Sequence, residues 1–162
     1  MPRNRVRSEV GKGVEALRHA EVTLVDALAG SGTYVGIIGP FETDIDVEEI
    51  AVITGIKPAA NGANTLDVFN GTVAGSTEMM TQLTDALATY GWTAQTAQVA
   101  VKPPVIATAR RVAAGTAISV QLVAAGDNSG APASVTVRIG YDVPVYDPTA
   151  KVHTYGSYDD GI

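Results

Sequence analysis

The longest run of like charge in the chain is acidic. Glu42, Asp44, Asp46 and Glu48 alternate with Phe41, Thr43, Ile45 and Val47, and Glu49 follows directly. Carboxylates in such a row could ligate calcium or supply the acid and base of glycoside hydrolysis. On a strand, successive carboxylates of one face stand roughly 7 Å apart, too far for one shared calcium unless loops bend inward. Nor does the spacing make a hydrolase pair, because any strand with acidic outer positions has it. The expectation is a solvated strand face whose charge discourages edge-to-edge aggregation, with calcium binding as the alternative. No metal or cofactor is assigned.

The remaining chemistry-bearing residues are scattered. His19 and His153 lie in the two terminal segments, and neither is near a serine elbow or a second histidine at ligand spacing. Gly30, Gly32 and Gly36 surround Ser31 and Tyr34, but no Gly-Lys-Ser/Thr follows and the next residues are apolar, so they are turn glycines rather than a phosphate cradle. Cysteine is absent, which excludes a disulfide framework and thiolate metal sites. No nucleophile, base and orienting group can be named together, so the chain is not expected to be an enzyme. Trp92, the sole tryptophan, follows Gly91 and is expected as a core or interface anchor, with sugar stacking as the alternative. Tyr146, Tyr155 and Tyr158 stand among Asp, Gly and Ser, a mixture suited to protein contact.

These residues must be carried by a folded body. The 162 residues are 46% hydrophobic and 17% charged, the composition of a globular domain. Apolar runs fall well short of the roughly 20 residues that cross a bilayer, so no membrane is expected. Arg3, Arg5 and Arg7 are not followed by the apolar run of a secretory signal, so export by that route is not expected. Charge is unevenly spread. Residues 1–20 hold five Lys/Arg (Arg3, Arg5, Arg7, Lys12 and Arg18) against two Glu, a net of +3, whereas residues 21–100 hold one Lys against ten acids, a net of −9. An acidic body argues against a nucleic-acid partner. The basic residues 1–20 are read as an arm that could contact an acidic protein surface.

Val14, Leu17, Glu21, Leu24, Val25 and Leu28 have helical spacing over residues 14–29, with a strand over 21–27 as the rival because Val22, Thr23 and Val25 are β-branched. Strands are expected at residues 34–38, 41–48 and 50–56. A loop at 57–64 precedes another strand at 65–69, closed by Asn70 and Gly71 as a tight turn. Met79, Leu83, Leu87 and Tyr90 predict a helix over 76–90 with Gly91 as its stop. Further strands are expected at 92–101, 105–111, 117–124 and 134–143, the last two joined by a hairpin loop at 125–133. The pattern predicts a mainly β chain, an antiparallel sandwich of jelly-roll type with one or two short helices. Residues 21–145 are assigned to it, and residues 146–162 to an extended tail.

Several stretches coincide with this pattern: Ala60-Asn61-Gly62-Ala63-Asn64-Thr65-Leu66-Asp67-Val68, Ala114-Gly115-Thr116-Ala117-Ile118-Ser119-Val120-Gln121-Leu122 and Ser134-Val135-Thr136-Val137-Arg138-Ile139-Gly140-Tyr141. With the basic arm they resemble the jelly-roll structural proteins of tailed-bacteriophage virions, especially head decoration (cement) proteins, over roughly residues 31–145. The resemblance implies a non-enzymatic homo-oligomer, commonly a trimer, made in the host cytoplasm and seated on the lattice of major capsid protein. Arg3, Arg5, Arg7, Lys12 and Arg18 would then be the capsid contacts, and Trp92, Tyr146, Tyr155 and Tyr158 interface residues. The alternative is a tail or fibre domain, or a carbohydrate-binding receptor-recognition domain, using Trp92, the tyrosines and the acidic row with calcium.

Overall fold

The computed structural model describes residues 16–55, 64–73, 76–84, 100–125 and 133–144. Arg18–Val143 form one compact unit that carries the strands. Residues 1–17 with 144–162 form a second, of which Ala16, Leu17 and Pro144 are described.

The strands are β1 (Arg18–Leu24), β2 (Ser31–Ile38), β3 (Ile45–Thr54), β4 (Thr65–Asn70), β5 (Thr77–Glu78), β6 (Leu83–Thr84), β7 (Arg111–Val112), β8 (Ile118–Ala125) and β9 (Val135–Asp142). One sheet has the order β1-β9-β3-β7. The other has the order β2-β8-β4-β5, with β6 also on β4. The antiparallel pairings are nested: first strand with last, β2 with β8, β3 with β7, β4 with β5. A long two-stranded ribbon rolled on itself gives this order, which is the jelly roll.

Alternation explains why these segments are strands. β8 buries Ile118, Val120, Leu122 and Ala124, and β9 buries Val135, Val137 and Ile139. Leu122 stands opposite Leu66 of β4 and Tyr34 of β2, and Val120 opposite Val68 and Gly36. Ile139 stands opposite Ile50, and Val137 opposite Val52 and Val22. Each sheet thus has one apolar face, and the two faces close on a common core. Burying such a side chain fully stabilises by about 1.5–3 kcal/mol.

Two close approaches set the sandwich. A Cβ on Gly36 would lie 2.9 Å from side-chain atoms of both Val22 and Leu24, so β1 can pack on β2 only because position 36 has no side chain. Asn70, at the end of β4, donates from Nδ2 to the carbonyl oxygens of Ala109 and Arg111, at 3.0 and 2.6 Å, tying the second sheet to the segment that enters β7.

The structure corrects several expectations. No helix occurs among the described residues. Residues 18–24 form β1 and 25–29 a turn, so the strand alternative holds there with earlier bounds, helped by a 2.8 Å hydrogen bond between the hydroxyls of Thr23 and Thr136. Residues 76–84 hold β5 and β6 around a bend at Met79 and Met80, and residues 85–91 lie outside the described residues. Met79, Met80 and Leu83 are all fully buried. Their spacing reflects core positions on an irregular path, and tertiary burial overrides helical propensity. Residues 41–48 and 50–56 are not two strands. Ile45–Thr54 is one strand, and a bulge between Val47 and Glu49 lets apolar side chains face the core on both sides of it. β8 and β9 are not paired as a hairpin, because they belong to different sheets, and residues 126–132 between them lie outside the described residues. Asn70 is a strand residue, and the positive φ of 111° falls on Gly71 alone. Of residues 105–111 only Arg111 is in a strand, and of 92–101 only Ala100 and Val101 are described.

Candidate interaction surface

The acidic row is not a free face. Asp44, just before β3, and Asp46, Glu48 and Glu49 on it face the segment 100–112, which runs along the outer edge of that strand, while Glu42 stands exposed ahead of them. Val101 exchanges two backbone hydrogen bonds of 2.8 Å with Val52, the Val47 N–H donates to the Arg110 carbonyl at 2.9 Å, and Ile45 and Asp46 pair with Val112 and Arg111. The side chains repeat the match. Lys102 Nζ lies 2.9 Å from Glu49 Oε2, and Arg110 Nη2 pairs with Glu48 Oε1. Arg111 grips Asp46 with Nε at 2.5 Å and Nη2 at 3.0 Å, and its Nη1 lies 4.0 Å from Asp44. Asp44 also accepts from the Ala114 N–H at 2.9 Å. Two acids sit beside Arg111, and the hydrogen bond to Asp46, then its charge, push the guanidinium further up from its ordinary value.

This row therefore acts as a clamp. Exposed ion pairs contribute at most about 1 kcal/mol each. The forked pair at Asp46, whose side chain is only 14% exposed, has the geometry of the stronger ones. The bulge at Glu48 is what turns both Glu48 and Glu49 toward cations. Among the described residues no group of three His, Cys, Asp or Glu is arranged to hold a metal ion.

A second polar feature lies on the outer face of the other sheet. Asp67 pairs with Gln121 across β4 and β8 and accepts a 2.7 Å hydrogen bond from Gln82 Nε2 on Oδ2, while its buried Oδ1 has no partner. Burial pushes its carboxyl above 3.8; the Gln82 hydrogen bond opposes this and the charge of Glu78 adds to it.

Of the residues singled out from sequence, Arg18 is the first residue of β1, exposed and opposite Tyr141. Arg3, Arg5, Arg7, Lys12, Trp92, Tyr146, Tyr155 and Tyr158 lie outside the described residues. His19 is exposed on β1 opposite Gly140, and His153 lies outside the described residues. Lys102, Arg110 and Arg111 were the residues that sequence reasoning passed over. They stand more than fifty positions from their acidic partners, and only the paired Arg110-Arg111 doublet hinted at a counter-charge.

No protein-family model matches this chain, and no curated protein matches it. Among solved structures it is similar to a chain of the acidic stable capsid structure of Helicobacter pylori bacteriophage KHP30, at 14% identity and a TM-score of 0.45, over 81% of this chain and 90% of that one. It is also similar to a chain of Turnip Yellow Mosaic Virus, at 12% identity and a TM-score of 0.30, over 82% of this chain and 96% of that one.

Proposed function

We propose that this chain is a non-enzymatic structural protein of a virion, binding and stabilising the capsid lattice of a tailed phage as an oligomeric decoration (cement) protein. The observation that carries the reading is the use made of the acidic row. The carboxylates that a calcium-dependent lectin or a glycosidase would need are engaged by Lys102, Arg110 and Arg111 in holding the β3 edge closed. The jelly roll hosts capsid and lectin domains alike, so the fold alone does not choose between them. What the chain offers instead is a rigid sandwich preceded by cations at Arg3, Arg5, Arg7 and Lys12.

In this reading the basic segment lies on an acidic capsid surface. Tyr146, Tyr155, Tyr158 and Trp92 add contact area, and an oligomer, the trimer in the form the resemblance implies, makes weak contacts durable by engaging several lattice points together. Arg18 belongs to β1, so a fair deletion must stop before it. Removing residues 2–15 should empty capsids of the protein in electron micrographs while the thermal transition of the purified chain is kept. Unchanged occupancy removes the arm from the mechanism. Absence of the full-length chain from particles, or selective glycan binding that a chelator abolishes, replaces the reading with the tail or carbohydrate-binding one.

A further inference from the structure

The strand at the end of a sheet presents unpaired N–H and C=O groups, and proteins blunt such edges with short strands, charges, prolines or bulges. Three of the four sheet ends here are blunted. β5 and β7 are two residues long, and β1 carries Arg18, His19 and Glu21. β2 is different. Ser31–Ile38 is eight residues long and contains no charge and no proline, and its register with β8 runs through all eight positions without a bulge. Every second residue of an antiparallel strand turns its N–H and C=O away from its neighbour, so half of β2 offers these groups outward.

The side chains beside this edge are apolar and exposed. Val35 is 51% and Ile37 52% exposed, both on the outer face of the sheet. Val123 of β8, opposite Thr33, stands diagonal to Val35 and extends the strip.

We propose that β2 is a self-association edge, to which β2 of a second copy of this chain adds antiparallel about a two-fold axis. Antiparallel pairing sets residues of the same face opposite one another. A two-fold through Val35 sets Val35 against Val35 and Ile37 beside it, and one through Gly36 sets Val35 against Ile37. In either register the outer face gains a continuous row of four apolar side chains. Charge bears on where a second copy can approach. Two copies carrying −6 each repel one another, and an uncharged strand is the part of the surface where that repulsion is smallest, since screening acts over about 8 Å at physiological salt. A contact confined to one added strand belongs with the weak, transient interfaces that bury less than about 1,200 Å², so it is reversible and depends on concentration. It does not rest on the virion reading. By itself it gives dimers, and with a three-fold contact elsewhere it gives pairs of trimers.

Sedimentation velocity of the purified full-length chain, over a range of concentrations and at low and high sodium chloride, tests this. Even-numbered species that strengthen with salt are expected, as are amides of alternate β2 residues whose hydrogen exchange slows as concentration rises. The double variant Val35→Lys/Ile37→Lys, altering only outward side chains, should weaken association by about tenfold or more. Val35→Thr/Ile37→Thr, which keeps β propensity, gives the same readout should the lysine variant fail to fold. A chain that is monomeric or only trimeric throughout overturns the proposal. So does association that salt dissolves, or one that both folded variants leave unchanged.

Discussion

Arg111 holds both carboxylate oxygens of Asp46, through Nε at 2.5 Å and Nη2 at 3.0 Å, at the point where β7 pairs with β3. The side-chain fork and the backbone ladder fix the same register, so the pair closes an edge that two residues of β7 alone would hold weakly. Arg111→Met should lower the midpoint of thermal unfolding more than Arg110→Met or Lys102→Met, each of which should cost less than about 1 kcal/mol. High salt should narrow the differences. Equal effects from all three would show that the fork has no special role.

The contact of β1 with β2 depends on Gly36. Its absent side chain leaves space that Val22 and Leu24 fill to 2.9 Å from where a Cβ would stand. Gly36→Ala should therefore destabilise by about 1–3 kcal/mol, the range for overpacking a filled core, even though alanine suits a strand better than glycine does. Chemical denaturation measures this, and a stabilised variant would mean that β1 is free to shift outward.

Asn70 links the two sheets, because its Nδ2 serves two carbonyl oxygens of the segment entering β7. Asn70→Leu should cost about 1–3 kcal/mol by leaving those acceptors unpaired. Hydrogen exchange should show the loss at Val47, whose N–H donates to the Arg110 carbonyl, before it reaches the β8–β9 core. Uniform acceleration across both sheets would contradict this local role.

What could be read from the sequence follows from these three contacts. Strands whose apolar residues alternate, β8 and β9 above all, were legible because one face meets the core throughout. The fold class followed from their number and their turns. Residues 76–84 were not legible, since Met79 is held by a backbone bond to Val68 and receives another from Ile106, contacts that no local period encodes. The acidic row was visible, but its partners were not, because pairing across more than fifty residues depends on how the ribbon rolls. The same is true of the crossing between β8 and β9, whose connecting residues have hairpin composition although the strands part to different sheets.

Asp67 sets a pH dependence whose sign follows from its burial. Desolvation raises its carboxyl above 3.8, with the Glu78 charge adding to the rise and the Gln82 hydrogen bond limiting it. The folded chain therefore holds this proton more tightly than the unfolded chain does. Stability contributed by the protonated group is complete below the unfolded value. It is lost as pH rises through the folded one, so at neutral pH the fold carries an ionised side chain with one buried oxygen unpartnered. An asparagine in place of Asp67 would carry no charge and would keep an acceptor for Gln82. Asp67→Asn should thus raise the urea midpoint at neutral pH, and the gain should shrink to nothing as pH falls below 3.8. A gain that is the same at both ends, or a loss at neutral pH, would mean that the carboxylate has a partner worth more than its burial costs.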